Sequence, residues 1–334
     1  MTVEPRREPG KPPIFAAPRG LDLADSCAWL RATLPELRAV LDSDGALLVR
    51  GLAFESAADF GHLRDAVISS RTPYRERATP RSSFGDDVFS STDFPVDQRI
   101  MLHNENSYTL SFPGTIMFGC LTAPESGGAT PVADCRKVLA ALPDELVRRF
   151  REVGWGLVRN YTEYFGLGWQ TAFGTDDPDE VLRYCAANDI GACWEANGRL
   201  RTVQRRSALI RHPRLDHEVW FNHVAFWSVW SLAEELRAYL LDDLAADELP
   251  YNTMFGDGKP LTEQDVEALA RAYDAATLRE TWQAGDVILV DNLLAAHGRD
   301  PYRGDRMILV AMGEPVDLTD CAPTVPPAPT LDSR

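Results

Sequence analysis

Residues 101–107 read Met101-Leu102-His103-Asn104-Glu105-Asn106-Ser107, and residues 297–306 read His297-Gly298-Arg299-Asp300-Pro301-Tyr302-Arg303-Gly304-Asp305-Arg306. The first stretch ends a strand-like lead-in and sets an imidazole and a carboxylate two residues apart. In an extended chain, residues i and i+2 point to one side. His103 and Glu105 are therefore expected to converge on one point. The second stretch supplies a distal histidine and, a short loop later, Arg306 at the head of an apolar run.

Strand-like runs surround these two stretches. Residues 45–52 are mostly apolar with a glycine near the end, and residues 115–120 form another such run. After a Pro/Gly-rich turn comes a short segment at 130–133, and residues 155–161 alternate. Residues 192–196 and 199–204 flank Asn197-Gly198, a strong hairpin signal. Residues 218–223, 286–290 and 306–312 complete the set. Helical spacing of apolar residues marks 58–68, 145–153, 179–187, 233–244 and 263–277, the last with Thr262 as N-cap. Strands and helices do not alternate, which disfavours a doubly wound parallel sheet. The expected class is mainly β with helical insertions, as a sandwich or jelly roll.

The chain has 334 residues, enough for a large core. Residues 1–20 and 319–334, rich in proline and polar residues, are expected to be flexible ends, and residues 21–318 one domain. The net charge of -16 repels phosphate backbones and anionic lipid surfaces, so neither nucleic acid nor membrane is an expected partner. Residues 1–18 lack the apolar stretch of a secretory signal, and no run reaches the ~20 apolar residues of a membrane helix. A cytoplasmic protein follows. Its six cysteines, without a CxxC pair, are expected as thiols rather than disulfides.

Two imidazoles and one carboxylate on one face of an octahedron leave three positions open, the arrangement that suits non-heme iron(II) oxygenases. A 2-oxoacid chelates two of those positions and dioxygen takes the third. Taken alone, His103 and Glu105 also fit a structural histidine beside a general base. Arg306 fits a bidentate grip on a distant carboxylate of 2-oxoglutarate, or a strand-end surface charge. Thr130, after Gly127-Gly128-Ala129, fits a hydroxyl donor to the same carboxylate, or an ordinary strand start after a turn.

Read together, several segments resemble the taurine dioxygenase-like (TauD/TfdA) family. They are Thr79-Pro80-Arg81, Ser90-Ser91-Thr92-Asp93-Phe94-Pro95, Leu102-His103-Asn104-Glu105-Asn106-Ser107-Tyr108, Ser126-Gly127-Gly128-Ala129-Thr130-Pro131-Val132-Ala133-Asp134, Trp220-Phe221-Asn222, Gly285-Asp286-Val287-Ile288-Leu289-Val290-Asp291-Asn292, and 297–306. The resemblance spans about residues 45–315. It points to the clavaminate synthase-like branch, and within it to syringomycin-type amino-acid hydroxylases of peptide natural-product pathways. It implies a double-stranded β-helix (jelly-roll) core, Fe(II) on His103, Glu105 and His297, and 2-oxoglutarate on Thr130 and Arg306. Glu105 in the carboxylate position argues against a halogenase. Phe221-Asn222-His223 stands where close relatives tend to carry Phe-Asn-Gln, which puts the relatives' substrates in doubt here.

The resemblance further implies oxidation of an unactivated C–H bond of an amino acid, free or presented by a peptidyl carrier protein, with dioxygen as oxidant. Hydroxylation is the expected outcome, with desaturation or cyclisation as alternatives. Candidate substrate-binding residues are Arg81, Asn106, Arg206, Asn222 and His223. Two readings of other classes stand beside it. A zinc hydrolase would use the same three ligands but needs no Arg and Thr pair for a 2-oxoacid. A non-catalytic jelly-roll binding module predicts a broken ligand set, and here the set is complete.

Overall fold

A computed structural model describes residues 3–72, 75–79, 81–92, 94–161, 167–195, 198–245 and 248–331. Asn197 of the expected hairpin turn lies outside them, as do Pro80 and Asp93 of the quoted segments. The architecture is mostly β with helices. A six-stranded sheet runs in the order Ile14–Ala16, Ala46–Arg50, Val287–Asp291, Ser111–Thr122, Met307–Asp317, Phe89–Ser90. A four-stranded sheet runs Thr277–Leu278, Val132–Asp134, Ala295–Arg299, Ile100–His103. A second four-stranded sheet runs Tyr251–Phe255, Trp155–Tyr161, Leu200–Arg206, Gly191–Trp194.

The central strands of the large sheet, with sequences ALLVR and VILVD, are apolar almost throughout because both their faces are covered. On one face Leu47, Val49, Met117, Val287, Leu289 and Leu309 pack under Leu30, Leu37, Phe60 and Leu63 of the helices Leu23–Asp44 and Ala57–Asp65. The alternate residues Leu48, Ile116, Phe118, Ile288, Val290 and Ile308 pack with Val132 and Ala295 of the smaller sheet. The smaller sheet thus shares an apolar core with the large one, and it carries both candidate histidines.

Most expected elements are present within a residue or two at their ends. The alternating run at 155–161 is the strand Trp155–Tyr161, and the expected hairpin is the antiparallel pair Gly191–Trp194 and Leu200–Arg206. Thr262 caps Glu263–Ala276 through a capping box with Asp265. Two regions differ from expectation. Leu23–Asp44 is a 22-residue helix that sequence reading passed over: Pro35 lies inside it, although its buried residues Cys27, Leu30, Thr33, Leu37, Val40 and Leu41 recur at helical spacing. The N-terminal stretch is not a loose end, because Ile14 and Phe15 are buried and Ile14–Ala16 pairs in parallel with Leu48–Arg50. Near the other terminus Ala328 bridges to Arg205.

All six cysteines are free, as expected, and only Cys193 is exposed. No helix among the described residues is long and apolar enough to cross a membrane.

Candidate metal centre

His297 stands directly opposite His103 in the antiparallel pair Ala295–Arg299 and Ile100–His103. Side chains opposite one another on neighbouring strands share a face, and the two rings lie 4.7 Å apart between centroids. A register shift follows at once, between His297 and Arg299. Glu105 joins them by a different route from the one expected. The strand ends at His103 and Glu105 lies in the turn beyond it, so the pleat does not align the two side chains.

Asn292 does that work. Its Oδ1 accepts from the Glu105 N–H at 2.7 Å, and its Nδ2 donates to the carbonyls of Glu105 at 2.9 Å and Pro113 at 2.8 Å. Asn104, next to the triad, donates from Nδ2 to the Asn292 carbonyl at 2.7 Å. Both asparagines are fully buried.

One ligand atom from each of His103, Glu105 and His297 lies within 4.8 Å of the others, and all three residues are buried. Nε2 of His297 and Nε2 of His103 stand 3.6 Å and 4.0 Å from Glu105 Oε2. His103 Nδ1 is 2.7 Å from the Met101 carbonyl, which assigns the proton to Nδ1 and turns the Nε2 lone pair toward the centre. Burial, with His297 beside it, lowers the His103 pKa to about 3, so the ring is neutral as a metal ligand must be. Burial alone would raise the Glu105 carboxyl, but the Arg81 guanidinium and the two imidazoles outweigh it and hold it below the usual range. The donor set is thus two imidazoles and a carboxylate, and it fits a divalent cation with positions left open.

Arg306 precedes the strand Met307–Asp317 and reaches the same cavity as both histidines. Its Nε donates to the Gly128 carbonyl at 3.0 Å, its Nη1 to Ser91 Oγ at 3.1 Å, and its Nη2 lies 3.4 Å from Thr130 Oγ1. Gly128, at φ 68°, is required there: a Cβ would sit 2.9 Å from Tyr302 Cβ and 3.2 Å from Arg306 Cδ. Among the described residues Arg306 has no ion pair. Burial, with Arg299 nearby, lowers its pKa to about 10. A half-buried guanidinium with only neutral partners fits an incoming carboxylate. Trp282 Nε1 orients Thr130 Oγ1 from 3.3 Å.

The five substrate candidates separate. Arg81 donates to Glu105 Oε2 at 2.9 Å, and the His223 ring lies tilted 4.7 Å from that of His103 while Ser107 Oγ bonds its Nδ1 at 2.6 Å. The other three make internal hydrogen bonds. Arg206 directs all three of its nitrogens at backbone carbonyls, those of Tyr108, Asp189, Arg205 and Asn188. Asn222 bonds the Ala208 carbonyl and the Val224 N–H. Asn106, at φ 54°, accepts from the Tyr108 hydroxyl. Sequence reading missed Asn292, Trp282 and the part played by Ser91. Asn292 and Ser91 stand in segments that carry the family resemblance, without a role of their own assigned, while Trp282 carried no signal.

The sequence matches the family described as "Taurine catabolism dioxygenase TauD, TfdA family" over residues 6–312. It is 37% identical over 277 residues to the dapdiamide synthesis protein DdaC of Enterobacter agglomerans, covering 83% of this chain and 84% of that one. It is 32% identical over 289 residues to a clavaminate synthase-like protein of Arabidopsis thaliana, covering 83% of each. The fold is similar to that of PvcB, an Fe, alpha-ketoglutarate dependent oxygenase from an isonitrile synthetic pathway. There the TM-score is 0.53 at 15% identity, over 94% of this chain and 92% of that one. It is also similar to a taurine dioxygenase from Burkholderia xenovorans, with TM-score 0.52 at 15% identity, over 95% and 91%. The chain belongs to the TauD/TfdA family and is an iron(II)- and 2-oxoglutarate-dependent dioxygenase.

Proposed function

We propose that this oxygenase hydroxylates an unactivated C–H bond of an amino acid, in the making of a natural product, in the cytoplasm. His103, Glu105 and His297 hold Fe(II), and Arg306 with Thr130 holds the far carboxylate of 2-oxoglutarate. The observation that carries this reading is that one small cavity is lined by His103, His297, Thr130 and a half-buried Arg306 that has no ion pair among the described residues. A zinc hydrolase or a binding module has no use for that cation, whose burial costs stability unless an anion comes to meet it. We read residues 21–318 as one oxygenase domain, and the two sheets sharing an apolar core as the halves of a double-stranded β-helix. DdaC, a dapdiamide synthesis protein, supports the pathway class.

When bound, iron would activate dioxygen as the oxidant, with 2-oxoglutarate supplying two of the electrons for its reduction and the substrate C–H bond the other two. The chain's own share is positioning. The cross-strand pair sets the two imidazoles, Asn292 fixes the backbone of Glu105, and Arg306 draws the co-substrate's anionic end into the cavity. Phe226, stacked on His103 at 4.7 Å, and Phe118, 5.1 Å from His297, line the centre with apolar surface and exclude water.

The test is turnover with an amino-acid panel, free and loaded on carrier protein, in the presence of Fe(II), 2-oxoglutarate and air. The expected result is substrate-stimulated succinate release together with a product heavier by one oxygen. A product lighter by two hydrogens assigns desaturation or cyclisation instead. Turnover supported by Zn(II) without consumption of 2-oxoglutarate refutes the reading.

A further inference from the structure

A second buried charged group lies behind His223. Glu76 and Arg159 are 1% and 3% exposed. Their nearest atoms, Glu76 Oε1 and Arg159 Nη1, are 3.9 Å apart, close enough for attraction and too far for a hydrogen bond. Arg159 Nη2 donates to the Arg77 carbonyl at 2.9 Å, but Nη1 has no hydrogen-bond partner among the described residues. The neighbouring Arg206 differs, since all its nitrogens bond backbone carbonyls and its role is structural.

A buried ion pair held apart in this way carries the desolvation cost of both charges, offset only by the Arg77 carbonyl on Arg159 and a 3.4 Å bond from the Tyr184 hydroxyl to Glu76 Oε2. Glu76 also sits at φ 53°, a backbone region that side-chain-bearing residues seldom adopt and that clusters at ligand sites. Aromatic rings enclose the cation: the Arg159 guanidinium carbon lies 4.7 Å from the Tyr161 ring, 5.8 Å from Trp227 and 6.0 Å from Tyr108. Trp227 and Tyr108 also touch His223, at 4.5 Å and 5.1 Å, and His223 touches His103. One aromatic layer therefore separates this pair of charges from the metal centre.

A ligand carrying both signs a few ångströms apart satisfies both groups, and an amino-acid head group has that form. We propose that Arg159 and Glu76 are the subsite for the α-carboxylate and α-ammonium of a free amino-acid substrate, whose side chain extends past His223 and Trp227 to the iron. This rests on the amino-acid reading above and goes further, because a carrier-bound thioester has no carboxylate to offer Arg159. Burial raises the Glu76 carboxyl to about 7 despite Arg159 and Arg206.

The test is binding to the Fe(II)- and 2-oxoglutarate-loaded enzyme under anaerobic conditions, followed by perturbation of its visible band. The probes are the proteinogenic amino acids and ornithine, each as free acid, methyl ester and N-acetyl derivative. The expected result is a free amino acid that binds at least ten-fold more tightly than either derivative. Arg159→Gln should weaken the free acid much more than its ester, and Glu76→Gln should weaken it much more than the N-acetyl form. Arg159→Lys serves where Arg159→Gln does not fold, and the derivatives test the wild type without any variant. Acid and ester binding alike overturns the subsite and leaves the amino-acid reading intact, as does turnover of carrier-loaded substrate alone. If no amino acid in any form binds or is turned over, the amino-acid reading fails and the subsite with it.

Discussion

Arg81 and Glu105 form a buried ion pair at 2.9 Å, on the carboxylate oxygen that His297 Nε2 also approaches, at 3.6 Å. A guanidinium thus supplies the positive charge that a metal would bring to the same oxygen. Removing one partner of a buried pair typically costs about 3–5 kcal/mol. Arg81→Ala should therefore lower the melting temperature of the metal-free protein, and saturating Mn(II) should recover more stability in the variant than in the wild type. Equal metal-induced shifts in thermal melts of the two proteins would count against this account of Arg81.

In the proposed centre Asn292 would act on the metal through Glu105, and it touches no candidate ligand atom itself. Asn292→Ala removes three hydrogen bonds from buried groups, each worth about 1 kcal/mol net or more when a partner is left unsatisfied. Metal affinity should fall on the order of 10- to 100-fold, the usual range for groups that support ligands. Titration with Mn(II), read by calorimetry, checks this against Glu105→Ala, which should lose more.

Arg306 and the metal ligands should separate cleanly. Arg306→Ala should raise the concentration of 2-oxoglutarate needed for half-saturation on the order of 10- to 100-fold, as expected when charge-assisted hydrogen bonds are lost. Metal affinity should stay near that of the wild type. Arg306→Lys should recover part of the loss, because it restores the charge but not the fork. The measurement is a 2-oxoglutarate titration at fixed metal.

Glu76 gives a pH dependence of defined sign. Burial raises its folded pKa to about 7, with Arg159, Arg206 and the Tyr184 hydroxyl opposing that shift. Its stability contribution is therefore full below the ordinary carboxyl range and is lost as pH rises toward 7, by at most about 1.4 kcal/mol per pH unit. Urea melts of the ligand-free wild type and Glu76→Gln should show the wild type losing ground between pH 5 and 7. Parallel curves would remove the support that this carboxyl gives to the head-group subsite.

Sequence carried the metal centre because its chemistry is written in residue types. His103, Glu105 and His297 declare themselves as donors, and Arg306 as a cation after a short loop. What brings them together was less legible. The expected pleat between His103 and Glu105 is a strand end followed by a turn, and its geometry depends on Asn292, 187 residues away. Arg206 and Asn222 were candidates as polar residues, yet backbone carbonyls engage them both. Glu76 and Arg159 gave no signal, since one lies in a loop and the other in an apolar alternating strand. Only the fold sets their charges side by side. The helix Leu23–Asp44 was hidden by Pro35, which tertiary packing over the large sheet accommodates.

The most direct measurement is anaerobic addition of Fe(II) and 2-oxoglutarate to the purified protein, watched for the weak visible charge-transfer band of a chelated 2-oxoacid. The account requires a band in the wild type, its loss in His103→Ala and His297→Ala, and a demand for much more 2-oxoglutarate in Arg306→Ala. A folded wild-type protein that shows no band, or a band that persists in His103→Ala, would contradict it.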